Sequence, residues 1–203
     1  MTKDTHNEIF EAAKDIFAER GYDGLSMRTL ASRVGISLSV IYHHYSDKDV
    51  LLKEVFDQTN TTLGKQRAKL KVGENLNQDI LSRVQFQFDH MRDVVFVLKY
   101  YLYFRETFPK QAKGGFVPDK ASLHILEILQ SAQERGELRS GLNIEAEAKI
   151  ITHAINGFLL EYYPAKPTGK EKQQLIRGLH AFILRSLTPA TEANTQEVPM
   201  HES

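Results

Sequence analysis

The sequence predicts an all-α fold of about nine helices. Apolar residues recur at helical spacing along almost the whole chain, and no segment has the sustained apolar and polar alternation that a half-buried strand requires. Capping residues precede several of the apolar stripes, and glycines follow several of them. The chain has 203 residues, of which 41% are hydrophobic and 26% charged, so it is long enough to bury a substantial core.

The first half of the chain divides into five segments of this kind. Thr5 and Glu8 form a capping box that opens the first helix, and Gly21 ends it. Two short helices follow at residues 27–34, with Ser26 as the cap, and at residues 38–44, with Ser37 as the cap. A second capping box at residues 46–49 opens a long helix to about residue 70, and a fifth helix contains residues 80–91.

The second half continues the pattern. Residues 94–108 predict a sixth helix, residues 109–118 a loop, and Asp119 the cap of a seventh helix that ends before Gly136. Two last helices are predicted at residues 144–163 and 169–187, and Thr168 with Glu171 forms a capping box for the final one.

Composition excludes several classes of function. The sequence contains no cysteine, which rules out disulfides, thiolate catalysis and cysteine-ligated metal centres and fits a reducing cytoplasm. The N-terminus lacks a signal peptide, and no uncharged run, residues 150–160 included, is long enough to cross a bilayer. We therefore expect a cytoplasmic protein with no membrane partner.

Charge is unevenly distributed although the net charge is zero, with 26 basic and 26 acidic residues. Residues 188–203 contain three glutamates and no lysine or arginine, so the rest of the chain carries +3. This last segment is also poor in apolar residues, and we predict that it is a disordered acidic tail.

Residues 24–52 carry the most informative pattern. Two short capped helices joined through Gly35 have the arrangement of a helix-turn-helix, whose second helix enters the DNA major groove. Leu30 and Ile41 would fix the angle between the helices from inside, while Ser39, Val40 and His43 would point outward. Positive charge is modest, and hairpins of this kind also occur in bundles without DNA function.

Residues 9–52 resemble the N-terminal domain of the TetR family of bacterial transcriptional regulators. The matching elements are Ala12, Ala13 and Phe17 before Gly21 and Tyr22; Ser26, Met27 and Arg28; Leu30 and Ala31; residues 34–37 (VGIS); residues 41–45 (IYHHY); and Lys48 and Asp49 before Leu51. The resemblance implies a three-helix DNA-binding domain at residues 1–47 and a larger helical ligand-binding and dimerisation domain at residues 48–187. Beyond residue 52 it extends only to length and helix layout.

Roles carried over from the family give a candidate DNA-binding set. Arg28 would reach a guanine or a nearby phosphate, and the start of the second short helix would face base edges. Because Leu38 and Val40 offer only apolar contacts, DNA shape is expected to contribute to specificity. Tyr42, His44 and Lys48 would hold phosphates, while His43 has a plain surface position as its alternative. The full set is Ser26, Arg28, Ser37, Leu38, Ser39, Val40, Tyr42, His43, His44 and Lys48.

The last two helices have broad apolar faces that favour a homodimer. A dimer is also expected because one short helix in a groove binds DNA weakly, and proteins of this design place a second recognition helix across a two-fold axis. The alternative is that these faces pack inside one chain. The candidate interface residues are Ile151, Ile155, Phe158, Leu159, Leu175, Leu179, Phe182 and Ile183.

Aromatic residues are concentrated in the middle of the chain and are candidates for a pocket that binds an apolar or aromatic small molecule. A packed core is the alternative for each ring. The candidate ligand-binding residues are Phe86, His90, Phe96, Tyr100, Tyr103, Phe104, Phe108, Phe116, His153 and Tyr162.

Together these patterns predict a ligand-responsive regulator, a repressor by the family's commoner habit, that binds double-stranded DNA at a palindromic operator. The sequence has no motif of a hydrolase, a zinc protease, a di-iron bundle or a phosphate-binding loop, so no enzyme activity, metal or cofactor is expected. The alternative is a helical bundle that binds small molecules or proteins but not DNA. The effector, the operator and the regulated genes are not encoded in any recognisable pattern.

Overall fold

The computed structural model describes residues 3–107 and 119–189, and within these ranges the chain forms nine α-helices and no strand, which confirms the all-α prediction. Phe108, Phe116, the predicted loop at residues 109–118 and residues 190–203 of the predicted tail lie outside the described residues. The helices are α1 (Lys3–Gly24), α2 (Met27–Val34), α3 (Leu38–His44), α4 (Lys48–Arg67), α5 (Leu76–Asp89), α6 (Met91–Thr107), α7 (Asp119–Glu134), α8 (Ile144–Tyr162) and α9 (Gly169–Leu187). A 3-10 turn, Tyr163–Ala165, follows α8.

Helix caps are the main difference between the predicted and observed helices. The first helix begins at Lys3, so the predicted cap Thr5 lies inside it. Asp47 rather than Ser46 caps α4, because its Oδ1 accepts a hydrogen bond from the amide of Val50 at 2.9 Å. Ser37 and Thr168 stand at cap positions, but neither side chain makes the capping hydrogen bond. Helix identity therefore came from apolar periodicity more than from capping boxes.

Helix α6 is the support on which the N-terminal part of the chain rests. Both α1 and α4 pack against it, and Phe17 of α1 meets Phe96 of α6 edge to face at 5.3 Å between ring centroids. Polar contacts flank this apolar seam: Lys14 pairs with Asp93 at 3.2 Å, and Lys99 donates to the carbonyl of Ala18 at 2.5 Å. The first helix is thus held along its length by a helix of the second domain.

The C-terminal group of helices is centred on α5, which packs against α7 and α9, while α7 also packs against α8. Its core consists of the inner stripes of these helices, and most of these side chains are fully buried. They are Ile80, Val84, Ile125, Ile128, Leu129, Ile151, Ile155, Leu159, Ile176, Leu179 and Ile183. None of the described helices has the combination of length and hydropathy needed to cross a bilayer.

Candidate nucleic-acid interface

The two short helices α2 and α3 are fixed to each other by a small internal core. Leu30 of α2 and Ile41 of α3 are completely buried, and Ala31 is 4% exposed. Gly35 ends α2 in the left-handed conformation, with φ of 75°, and its amide donates to the carbonyl of Ala31 at 3.0 Å. A residue with a Cβ adopts this conformation at a cost, so the tight turn between the helices depends on a glycine here.

The opposite side of α3 is open to solvent. Val40 and Tyr42 are 37% and 51% exposed, which is high for apolar or aromatic side chains on a helix with a packed inner face. Leu38 is half-buried against the core. The other predicted DNA-binding residues of α2, α3 and their caps are all exposed: Ser26, Arg28, Ser37, Ser39, His43 and His44.

Neighbouring polar groups on this surface contact one another. The hydroxyls of Ser37 and Ser39 lie 2.8 Å apart, and the rings of His43 and His44 meet edge to face at 4.9 Å. Ser26 accepts a hydrogen bond from the amide of Thr29 at 3.0 Å, which caps α2. These are contacts between exposed groups, so each hydroxyl and imidazole remains accessible to a ligand.

Lys48 is placed differently from the sequence prediction. Its ammonium group donates to the carbonyls of Tyr22 and Leu25 at 3.0 and 3.1 Å and lies 3.6 Å from the centroid of the Tyr22 ring. Two of its three donors are therefore used within the protein. Beside it, the amide of Val50 and the hydroxyl of Ser46 hold the pKa of Asp47 below its usual value, so this cap is negatively charged.

Tyr22, Lys48, Asp49 and Tyr103 form a cluster, here called the joint cluster, where α1, α4 and α6 meet. The rings of Tyr22 and Tyr103 are stacked at 4.1 Å, and the Tyr103 hydroxyl donates to Asp49 at 3.5 Å. Burial, followed by hydrogen bonds to Tyr103 and Asp49, raises the pKa of Tyr22. The cluster connects the end of α1 and the start of α4 to α6.

Most of the predicted pocket aromatics in α6 belong to this contact region. Phe96 is completely buried, and Tyr100 stacks on Phe56 of α4 at 4.6 Å and lies 6.2 Å from Phe17 of α1. Phe104 in turn stacks on Tyr100 at 6.4 Å. These rings, like Tyr103, pack against other parts of the chain.

The remaining pocket candidates are dispersed. His90 packs on Phe86 at 4.5 Å between ring centroids, and Tyr162 packs on Phe158 at the same distance. His153 is exposed, and its Nδ1 donates to the carbonyl of Lys149 at 2.7 Å. Within the described ranges, no three His, Asp or Glu side chains converge in a way that would hold a metal ion.

A polar cluster in the second domain was missed by the sequence analysis. Arg83, Gln87 and His124 are buried, at 0%, 1% and 9% exposure, and Arg67 is half-buried beside them. The signal that could have revealed them is positional: Arg83 and Gln87 occupy the same helical stripe as Ile80 and Val84, where an apolar residue is expected.

The predicted dimer residues divide between the core and the surface. Five of them point into their own chain: Ile151, Ile155, Leu159, Leu179 and Ile183. Phe182 is 57% exposed. Ile150, one position away from the predicted stripe of α8, is 59% exposed. Phe158 and Leu175 are half-buried. No heavy atom lies within 4 Å of a Cβ built on Gly157 or Gly178, so both glycines lie beside open space.

Comparison with known proteins agrees with this geometry. Residues 9–55 match the family model for bacterial regulatory proteins of the tetR family. Over 170 residues the chain is 26% identical to the HTH-type transcriptional repressor BepR of Brucella suis, covering 78% of this chain and 80% of that one.

The chain has the N-terminal DNA-binding domain of the TetR family. It is therefore a DNA-binding regulator, and α3 is the second helix of its helix-turn-helix. A shorter match links this protein to the repressor AcnR of Corynebacterium diphtheriae, 50% identical over 44 residues that span 22% of this chain and 23% of that one.

Solved structures of two other bacterial proteins have the same fold. The ketosteroid transcriptional regulator KstR2 of Mycobacterium tuberculosis superposes with a TM-score of 0.70 at 18% identity, covering 93% of this chain and 97% of that one. A gamma-butyrolactone receptor described as ArpA-like superposes with a TM-score of 0.68 at 17% identity, covering 94% and 91%. At these identities the likeness concerns the fold alone.

Proposed function

We propose that this TetR-family protein is a ligand-responsive repressor that binds a palindromic operator as a homodimer and releases it when a small molecule binds to the second domain. Residues 1–47 bind DNA in this proposal, and residues 48–187 bind the ligand and the second copy. The observation that carries this proposal is the solvent-exposed side of α3. A helix that served only to pack against its neighbours would bury Val40 and Tyr42.

The contacts follow from the chemistry of this surface. Ser39 and Val40, in the first turn of α3, face the base edges, and Arg28 supplies the guanidinium that can read guanine with two hydrogen bonds. Ser26, Ser37, Tyr42, His43 and His44 donate to phosphates. We leave Lys48 out of the phosphate contacts because its donors are used in the joint cluster.

The homodimer brings together the exposed sides of α8 and α9. Ile150 and Phe182 are among the most exposed large apolar side chains of the described residues, and exposed apolar surface of this kind marks interaction sites. Gly157 and Gly178 permit close approach of a second pair of helices. A four-helix contact between two copies places two α3 helices in one complex, as a palindromic site requires.

Coupling between the two domains runs through the joint cluster and α4. Since α1 and α4 both rest on α6, a ligand that moves α4 or α6 reorients α2 and α3 and changes the distance between the two α3 helices of the dimer. The effect is reciprocal, so operator DNA weakens ligand binding by the same factor. Two fold relatives are named for small-molecule regulation, a ketosteroid regulator and a gamma-butyrolactone receptor, which supports this assignment by analogy.

DNA binding is tested by fluorescence anisotropy with random and genomic duplex DNA at several salt concentrations. Affinity should fall steeply with salt, because each phosphate contact releases a counterion. Arg28→Ala should cost about 1 to 3 kcal/mol and relax specificity, whereas the control Arg139→Ala, in the exposed turn between α7 and α8, should bind as the native protein does. If the protein binds no duplex DNA even at low salt, the proposal of DNA binding is refuted, and the alternative of a helical bundle that does not bind DNA remains.

The homodimer is tested by sedimentation of the native protein and of Phe182→Lys. A buried lysine without a partner is costly at an interface, so the variant should dissociate to monomers at concentrations where the native protein is dimeric. Leu123→Lys is the matched control, since Leu123 is also 57% exposed but lies on α7. A native monomer, or two variants with equal sedimentation, contradicts the assigned face.

A further inference from the structure

Arg83 is a buried cation whose counter-charge is absent from the described part of the chain. Its side chain is 0% exposed, and none of its three guanidinium nitrogens has a hydrogen-bond partner there. Asp79, one turn earlier on α5, instead accepts a hydrogen bond from the amide of Gly73 at 3.0 Å and lies 3.6 Å from Arg135. A buried charge without a partner is strongly unfavourable, so this site is complete only when something else neutralises it.

A second guanidinium and two further polar groups face the same place. The Cζ atoms of Arg67 and Arg83 lie 5.9 and 6.0 Å from the centroid of the Phe86 ring. The Nε of Arg67, the side-chain oxygen of Gln87 and both ring nitrogens of His124 are buried without a hydrogen-bond partner among the described residues. We call Arg67, Arg83, Gln87 and His124 the arginine cluster.

Burial and neighbouring positive charge lower the pKa values of groups in the arginine cluster. Burial, and then the positive charge of Arg67, lower the pKa of Arg83 to about 9. Burial, and then the charges of Arg83 and Arg67, lower the pKa of His124 to about 4. Near neutral pH both arginines are therefore charged and His124 is neutral, and the positive charge in the cluster belongs to the two guanidinium groups.

An open groove between α4 and α7 gives access to the cluster. Its volume is about 630 Å³, large enough for a small molecule. Arg67 and His124 belong to both the groove and the arginine cluster, and Leu123, 57% exposed, adds apolar surface at its side. The lining residues are Asn60, Thr61, Gly64, Lys65, Arg67, Ala68, Leu123, His124 and Glu127.

We infer that the groove binds an anionic small molecule, whose carboxylate or phosphate group is held by Arg67 and Arg83 while its apolar part lies along Leu123 and the neighbouring groove wall. Guanidinium groups match both anions with paired hydrogen bonds, and an anion would neutralise the unpaired charge at Arg83. This inference rests on the proposed function, because it names the chemical class of the effector.

The location explains how such a ligand acts on DNA binding. Arg67 is the last residue of α4, and Lys48, in the joint cluster, is the first. A helix of 20 residues is about 30 Å long and moves nearly as a rigid rod. An anion that draws Arg67 toward Arg83 therefore shifts the end of α4 that carries the joint cluster.

The experiment is thermal unfolding of the full chain in a phosphate-free buffer with sodium octanoate, inorganic phosphate or 1-octanol as separate probes. Octanoate should raise Tm by roughly 3 °C or more at saturation, and the neutral 1-octanol should not. A rise with both anions shows that the site accepts either group, a rise with phosphate alone assigns it to phosphate groups, and a rise with octanoate alone assigns it to carboxylates.

Arg83→Met removes the buried charge at similar volume. We expect this variant to have a higher Tm than the native protein without ligand, because replacing an uncompensated buried charge with an apolar group is stabilising, and to lose the rise with octanoate and phosphate. Arg67→Met gives a second test if Arg83→Met does not fold, and the exposed Arg20→Met is the control that should respond as the native protein does.

The inference is overturned if neither anion raises the Tm of the native protein, or if Arg83→Met and Arg67→Met respond as strongly as it does. DNA binding measured on the same samples separates the two proposals. Anion binding without DNA binding contradicts the proposed function and leaves the anion site in place, whereas DNA binding with no anion response contradicts the anion site alone.

Discussion

Replacing Lys48 with methionine distinguishes its observed position from the role that the family pattern gives it. In the structure the ammonium group donates to two carbonyls, at 3.0 and 3.1 Å, and lies 3.6 Å from the Tyr22 ring. Methionine keeps the apolar length of the side chain and removes the charge. If the ammonium holds α1 to α4, Lys48→Met should destabilise the protein without removing a phosphate contact.

The magnitude follows from these contacts. A hydrogen bond from a charged donor contributes about 1.5 to 3 kcal/mol, and a half-exposed cation–π contact about 0.5 to 1 kcal/mol. These contributions are not additive, so we expect a loss of about 2 kcal/mol in the free energy of unfolding. Lys53 pairs with Asp57 at 2.6 Å on the exposed side of the same helix, and Lys53→Met should cost about 0.5 kcal/mol or less.

The assay is urea unfolding followed by circular dichroism at one protein concentration, since dimerisation makes stability depend on concentration. The salt dependence of DNA binding is measured on the same variants. Lys48→Met should keep the native slope of log K against log salt. A loss below about 0.5 kcal/mol together with a slope smaller by about one phosphate contact would refute the clamp and restore Lys48 as a phosphate ligand.

Two further predictions concern pH and backbone conformation. His124 has a folded-state pKa of about 4 against an ordinary value of 6.5, so the unfolded chain binds a proton first as pH falls. The free energy of unfolding should therefore drop by roughly 2 to 3 kcal/mol between pH 6.5 and 4. His124→Asn should remove that part of the drop, which urea titrations at each pH would measure. Equal pH profiles would show that His124 is not kept neutral by burial. Gly35→Ala should cost about 1 to 2 kcal/mol because φ is 75°, whereas Gly64→Ala, inside α4 with open space around it, should stabilise by about 0.5 to 1 kcal/mol; a shared sign would contradict this conformational argument.

The N-terminal domain was predictable because its determinants are local. Ser26 and Gly35 set the ends of α2 at the predicted residues, and the spacing of Leu30 and Ile41 specifies which sides of α2 and α3 meet. The family resemblance rests on the same short stretch, which lies within the residues, 9–55, that the family model matches. Exposure of Tyr42 and His44 then follows, since the inner face of a seven-residue helix leaves its other side to solvent.

Sequence reasoning was weaker in the second domain because burial there depends on which helix covers which. Periodicity gave an apolar stripe containing Ile151, Ile155 and Leu159, and these residues are buried within the chain. Periodicity could not show that the neighbouring Ile150 is exposed. The apolar stripe of this helix is wider than the surface that the other helices of the chain cover, so part of the stripe remains exposed.

The sequence by itself determined the helices, the helix-turn-helix and its outward face, because periodicity, caps and glycine conformations act between residues close along the chain. Tertiary structure alone decided that Lys48 meets the carbonyls at the end of α1 and that Arg83 is buried beside Arg67 and His124. The residues involved lie from 16 positions apart, for Arg67 and Arg83, to 57 positions apart, for Arg67 and His124. Their energies depend on burial and on neighbouring charge, and both exist only once the helices have packed.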